Sequence, residues 1–495
     1  MKKIYSFSLL MVLAFTIPGR AQVIEANFGL DIDNYDDARK IYFQPDGNLI
    51  IGGSAELSSG AIGFKRMAIA RFSPDGLLDT SFGTDGITQM YPNSTNYAVT
   101  DITNDSTGNL LVLGNYFNHC LVRLTANGIV DTGFGTNGVQ YYDDLGSSAV
   151  AQKLIPLADG KILVFGFGQP SGFSKSVVIV KRLNSDGTVD IDFGTNGMTI
   201  IDAGFLNNIG LGYFLRDDGK IIVVGNYQYT EDGVTKKKLF LSRLTSSGTL
   251  DTSYGVDGFR FPTDLVYSLQ FIDMNSENVI RVIGRHSEFS GSANDMVFAR
   301  FDASGNIISN ETVIFGAPNG TATAIQADGK MVFAGSYINA VEGNGTNCFF
   351  RRLNPDGSND LSFGDNGYFT VAFSSGNENV NTLKLGPNNK IYFAGHARGA
   401  TFNWRMGRLN PGATLETEAF ESDKMTIYPN PVIGHLQIKT NFALRESKIY
   451  DFQGKLIQTT NSMKTIDVSE LPSGMYILSV TSSDDENFRA KFIKK

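Results

Sequence analysis

Arg352-Leu353-Asn354-Pro355-Asp356-Gly357-Ser358-Asn359-Asp360-Leu361-Ser362-Phe363-Gly364 decides the fold, because the chain repeats its phrases from end to end. An Arg followed by Phe or Leu recurs at Arg71, Arg123, Arg182, Arg243, Arg300, Arg352 and Arg408. An aromatic-Gly pair closes the phrase at Gly83, Gly135, Gly194, Gly255 and Gly364, always 12 residues after its Arg. Upstream of each Arg a strand-like run ends in glycine, at Gly53, Gly114, Gly166, Gly225, Gly284, Gly335 and Gly395. From the aromatic-Gly to the next strand glycine the interval is 31 residues in four cases and 29 in the fifth, whereas strand glycine to Arg varies from 9 to 18. Length variation is concentrated in one segment of each repeat.

A period of roughly 50 to 60 residues, with short Val/Ile/Phe/Tyr runs broken by Asp-Gly turns, predicts one four-stranded blade per repeat. In an antiparallel meander of strands A to D, the A-B and C-D turns share one face and the B-C and D-A connections share the other. Seven copies predict an all-β, seven-bladed β-propeller. Copy seven lacks its outer strand, while Asn27-Phe28-Gly29-Leu30-Asp31-Ile32 is an orphan third phrase. The N-terminal strand is therefore expected to complete the last blade and remove the open edges. Copy five places its aromatic-Gly, Phe315-Gly316, 16 residues after Arg300, so that blade is expected to be irregular. These phrases resemble the delta-60 repeat family over residues 27 to 415. The resemblance implies a bacterial surface or secreted repeat protein with no established common activity.

The two ends read differently. Met1-Lys2-Lys3, a short apolar run and Arg20-Ala21 predict a signal peptide over residues 1–21, too short for a retained membrane span. The propeller is assigned to 22–416, a linker to 417–424, and a small Ig-like β-sandwich to 425–495, where short alternating runs resume. That tail resembles the type A sorting domain of the type IX secretion system. The resemblance rests on Tyr428-Pro429-Asn430-Pro431, Tyr450-Asp451 with Gly454-Lys455, Leu471-Pro472-Ser473-Gly474-Met475-Tyr476 and the closing Lys491-Phe492-Ile493-Lys494-Lys495. It implies recognition by the type IX secretion machinery and a secreted or outer-membrane surface location, after Sec-dependent export to the periplasm.

Composition agrees with a turn-rich β protein. The 495 residues include 54 Gly, 36 Phe and 19 Tyr, with 42 Lys+Arg against 50 Asp+Glu and a net charge of −8. No basic field is present to displace counterions from phosphates, which argues against nucleic acid as a partner.

Six of the seven arginines have an acid eight residues downstream: Arg71 with Asp79, Arg123 with Asp131, Arg182 with Asp190, Arg243 with Asp251, Arg352 with Asp360 and Arg408 with Glu416. Recurrence in nearly every repeat marks them as structural pairs across one C-D turn, since an active site seldom recurs in every repeat. Cys120 and Cys348 fall in blades two and six, too far apart for a disulfide, and Trp404 is expected in the core. No nucleophile motif, phosphate loop, paired-histidine metal spacing or cofactor signature stands out, so no catalytic residue, metal or cofactor is assigned.

The variable B-C segments remain. Their near ends carry Asn115 and Tyr116, Asn226 and Tyr227, Arg285 and His286, Tyr337, and His396. Aromatic faces and amides at one mouth of a ring suit a glycan or a protein ligand. A non-catalytic binding propeller is the expectation. The alternatives are an extracellular hydrolase or lyase with its site at the channel, or a structural surface component.

Overall fold

The computed structural model describes residues 24–32, 35–56, 65–90, 97–116, 119–142, 145–262, 267–286, 295–314, 320–339, 345–374, 376–386, 389–398, 402–409, 425–440, 442–451, 456–461, 464–483 and 487–495. The expected signal peptide and linker, Glu416 and Gly454 lie outside them, as does Phe315-Gly316.

Four of the strand glycines, Gly53, Gly166, Gly225 and Gly395, share one physical cause. The first strand of every repeat carries a β-bulge, and the strand glycine pairs with the residue just before it: Ala38 with Gly53, Val99 with Gly114, Ala151 with Gly166, Gly210 with Gly225, Leu269 with Gly284, Gly320 with Gly335 and Val380 with Gly395. The bulge pushes a carbonyl toward its partner strand. A Cβ at Gly53, Gly166, Gly225 or Gly395 would sit 2.0, 2.3, 2.4 or 1.9 Å from that backbone oxygen. Only glycine fits there.

The strands so shaped pair in chain order as antiparallel four-stranded sheets. The third is Ser147–Pro156, Ile162–Gln169, Val177–Leu183 and Met198–Ile201. The first strands are Tyr35–Phe43, Tyr97–Asn104, Ser147–Pro156, Asn208–Leu215, Tyr267–Met274, Gly320–Ile325 and Glu378–Leu385. Each touches the next and the last touches the first, so these strands form the inner wall of a closed ring. The result is a β-propeller.

The sheets cohere through apolar faces. Seven buried clusters fill the gaps between successive sheets, from Ile50, Val99 and Val112 between the first and second to Ile51, Met406 and the fully buried Trp404 between the seventh and first. Cys120 and Cys348 are buried free thiols in separate clusters.

The last sheet takes its outer strand from the other end of the chain. Strand Ile24–Leu30 lies antiparallel to Phe402–Leu409, in register from Ile24 with Leu409 to Leu30 with Trp404. Deleting residues 24–30 exposes the unpaired edge of Phe402–Leu409, a template for edge-to-edge association. The expected result is concentration-dependent oligomers by light scattering, where the full chain is monodisperse.

The fifth sheet has all four strands, but its outer strand, Ile307–Ile314, pairs with Asp295–Phe301 directly after the turn. The excursion that carries the aromatic-Gly elsewhere is missing between them.

The chain divides into two compact units between Gly412 and Ala413. The second is a β-sandwich, with Met425–Tyr428, His435–Thr440 and Thr465–Asp467 in one sheet and Leu456–Asn461, Leu444–Asp451, Gly474–Ser482 and Asn487–Lys494 in the other. Leu436, Ile449, Ile466, Leu478 and Phe492 form the core between them. Among the described residues no helix is long and apolar enough to cross a membrane.

Candidate functional site

The two faces of the ring differ in chemistry. On the C-D turn face, each regular arginine meets its acid: Arg71 Nε donates to Asp79 at 2.7 Å, Arg123 to Asp131 at 2.8 Å, Arg182 to Asp190 at 2.5 Å, Arg243 to Asp251 at 2.8 Å and Arg352 to Asp360 at 2.7 Å. The guanidiniums lie 4.6 to 4.8 Å from the ring centres of Phe82, Phe134, Phe193, Tyr254 and Phe363, the aromatics of the repeat phrase. Such stacking strengthens a desolvated ion pair.

These groups also reach across to the next blade, which spacing within one repeat does not reveal. Arg71 Nη1 donates to the Ala126 carbonyl at 2.8 Å, Arg123 Nη1 to Ser185 and Arg182 Nη1 to Ser246, each in the next C-D turn. Gly83, Gly135 and Gly194 donate their backbone N–H to the same turns. Arg408, whose expected acid Glu416 is outside the described residues, donates to the Pro74 carbonyl at 2.8 Å and so links the seventh sheet to the first.

Hydrogen bonding sets the acids' charge. At Asp190 burial opposes ionisation, yet donors from Lys161 and Arg182 outweigh it and hold the carboxyl below the usual range. At Asp251 the Lys220 and Ser253 bonds dominate, and its carboxyl is strongly lowered. The five arginine–aspartate pairs of this face are engaged within the ring itself.

The B-C face is less uniform. Asn226 is buried, giving Nδ2 to the Lys238 carbonyl and accepting the Leu269 backbone N–H from the next sheet. Tyr227 is only 7% exposed and stacks on Phe205 with centroids 4.0 Å apart. Both side chains are packed into the ring instead of offering open faces. Asn115 is half-buried, and the backbones of Tyr116, Arg285 and His286 end their second strands. Half-buried Tyr337 belongs to the sixth sheet, remote in ring order from Tyr227. His396 turns inward, its Nδ1 2.9 Å from Asp37 of the first sheet. The eight residues belong to the second, fourth, fifth, sixth and seventh sheets.

A groove of about 690 Å³ opens beside Tyr227, between the third and fourth sheets. Its walls come from Ser174 and Lys175 of a B-C loop, Gly204 to Asn207 of a D-A connection, and Gln228 to Thr230 with Thr235 of the next B-C hairpin. Backbone bonds tie the two sides: Leu206 N–H donates to the Gln228 carbonyl at 2.9 Å and Gln228 N–H to Asn207 at 2.8 Å. Side chains complete the frame, with Asn207 Nδ2 donating to Gln228 Oε1 at 2.8 Å and Lys175 Nζ donating to Asp202 and the Phe205 carbonyl at 2.7 Å.

An aromatic file backs it. Phe261 meets Phe205 edge-on at 5.8 Å, Phe205 stacks on Tyr227, and Tyr227 stands 6.1 Å from Tyr229, over whose ring Lys238 lies at 4.7 Å. Phe205 and Leu206 remain 37% and 48% exposed, while Ser174, Thr230 and Thr235 offer exposed hydroxyl groups. Sequence reading reached Tyr227 but missed its neighbours, because the D-A connection of one repeat meets the B-C hairpin of the next only once the ring forms. Phe205-Leu206 between Asp202 and Asn208, an apolar pair in a polar connection, was the available signal.

In the second unit, Asn430 Oδ1 accepts the Ile493 N–H at 2.9 Å, and Val432 exchanges backbone bonds with Ile493 and Lys495. Tyr476 donates to the Pro472 carbonyl at 2.9 Å and stacks on Phe492. Tyr428, Pro429 and Pro431 are exposed, as are Pro472 and Gly474, and Leu471 is half-buried. The backbone of Lys491 pairs with Ile477 in the last strand.

Two families are recognised in the chain. Residues 426–495 match a secretion system C-terminal sorting domain, and residues 44–82, 157–193, 216–254 and 326–363 match a β-propeller domain of unknown function, DUF5122. No curated protein matches the chain. Similar solved structures include Drosophila Plexin A in complex with Semaphorin 1b (10% identity, 78% of this chain and 87% of that one, TM-score 0.42). Others are a Bacteroides caccae protein of unknown function (12%, 66% and 98%, 0.34) and an α-L-arabinofuranosidase from Fusarium graminearum (11%, 77% and 98%, 0.36). The chain thus joins β-propeller repeats to a type IX sorting domain, which marks it for the cell surface or the extracellular space.

Proposed function

We propose that this propeller, exported by its type IX sorting domain, is a non-catalytic receptor that holds a glycan in the groove between its third and fourth sheets. The observation that carries the reading is the union of an aromatic-aliphatic wall, exposed Phe205 and Leu206 with half-buried Tyr229, with the Asn207–Gln228 amide pair and three hydroxyl residues. Sugar rings present C–H faces that pack on aromatic surfaces, and hydroxyl groups that amides and alcohols orient. The stacked rings and backbone ties fix the wall before a ligand arrives, which lowers the ordering cost of binding.

Among the described residues lining the groove there is no histidine and no carboxylate of the kind glycoside hydrolysis uses.

A glycan array with the purified protein tests it. Binding to a discrete set of saccharides is expected, with Tyr229→Ala weakening it by about ten-fold or more, some 1.4 kcal/mol. Array silence, or equal binding by Tyr229→Ala, overturns the reading.

A further inference from the structure

We infer that the inner wall of the ring holds a second site, separate from the groove, in which Lys40, Lys153 and Lys384 bind a compact anion, a carboxylate or phosphate group. The shared bulge supplies the alignment. Lys40, Asp101 and Lys153 each occupy the first paired position after it, on the neighbouring inner strands of sheets one, two and three. In sheet seven that position is Thr382, and Lys384 lies two residues on, on the same side of its strand.

The charges do not cancel. Lys153 Nζ is 3.1 Å from Asp101 Oδ2, and that oxygen also accepts the Leu154 backbone N–H at 2.8 Å. Lys384 senses Lys153, Asp101 and Lys40, and Lys40 senses Asp101 and Lys153, so the four belong to one electrostatic group. The same level of the remaining strands is uncharged, with Gly212, Phe271 and Ala322. Other charged groups nearby are engaged. Arg39 bonds Asp37 at 2.9 Å, Asp37 also meets His396, and Asp273 bonds Arg281 Nε at 2.8 Å. Three ammonium groups face the single carboxylate of Asp101, itself paired with Lys153, a surplus of two positive charges on an inner wall.

A surplus of that kind opposes folding unless something offsets it. Partial desolvation lowers the affinity of half-buried Lys40 and of exposed Lys384 for their protons, and the neighbouring cations lower it further against the pull of Asp101. A compact anion relieves this, and lysine, a point charge on a flexible stem, accepts either a carboxylate or a phosphate.

Thermal unfolding of the purified protein at roughly 0.01 M salt, where screening is weak, is the test, with inorganic phosphate and D-glucuronate as probes against chloride of matched ionic strength. At least one probe is expected to raise Tm. Lys384→Gln should bind that probe about ten-fold more weakly, yet unfold at a higher Tm than wild type without it, because a repulsive charge is gone. A response to phosphate alone assigns a phosphoryl group and to glucuronate alone a carboxylate, and either supports the site. It is overturned if neither probe shifts wild type, or if Lys384→Gln answers as wild type does.

Discussion

Gly395→Ala leaves the chain without its folded propeller. The added Cβ would lie 1.9 Å from the Asn379 carbonyl oxygen and 3.0 Å from the Val380 Cα, both backbone atoms that cannot swing aside. Relief requires flattening the bulge between Val380 and Thr382, which shifts the inner strand of the sheet that closes the ring. The expected cost is about 4 kcal/mol or more, in the range reserved for steric insults to a packed core. The measurement is soluble yield and the guanidinium midpoint, with Gly434→Ala as the comparison, since a Cβ there meets nothing within 4 Å. A Gly395→Ala protein within about 1 kcal/mol of wild type would sink the bulge explanation of the repeat glycines.

The second large effect belongs to Arg352→Met. Arg352 and Asp360 side chains are 4% and 7% exposed, their Nε–Oδ2 distance is 2.7 Å, and Arg352 also donates to Ser362 Oγ at 3.1 Å. Removing one partner of a buried pair leaves the other desolvated. Lys330 remains 3.0 Å from Asp360, so the loss is placed at about 3 kcal/mol, the lower part of that range.

Its pH dependence has a definite sign. Burial opposes ionisation of Asp360, but bonds from Ser362, Lys330 and Arg352 prevail and hold its carboxyl far below the ordinary value near 3.9. The stabilisation is therefore complete above about pH 4 and is lost as pH falls toward the depressed folded value. The gap between wild type and Arg352→Met, read from guanidinium midpoints, should be full at pH 7 and shrink below pH 4. A gap constant across that window would assign the effect to packing alone.

How far the sequence carried the fold follows from where the repeat keeps its spacing. Arg71, Asp79, Phe82 and Gly83 share one constant spacing because they form one local excursion, with the Arg71–Asp79 bond and Phe82 under the guanidinium. Their contacts with Ala126 and Asn127 were not legible, since these cross repeats and depend on ring closure. The strand glycines were visible as a pattern, but the bulge on a different strand that four of them face leaves no residue type of its own: the bulged positions are Arg39, Thr100, Gln152, Leu211, Gln270, Thr321 and Asn381. The same is true of Lys40, Lys153 and Lys384, far apart in sequence and aligned only by those bulges.

The groove was half legible. Tyr227 and Asn226 marked the right hairpin, although burial gives both a supporting role, while Phe205, Asn207 and Tyr229 were set beside them by blade-to-blade packing. Repeat positions hold the ring together, and positions that vary between repeats are the ones proposed to recognise a ligand.

That division of labour is tested most directly by titrating one saccharide, chosen from the array, into wild type, Tyr229→Ala and Arg352→Met at a temperature where all three are folded. Tyr229→Ala is expected to lose about ten-fold in affinity with an unchanged unfolding midpoint, and Arg352→Met to bind as wild type despite its lower midpoint. Affinity lost in Arg352→Met and kept in Tyr229→Ala would contradict it.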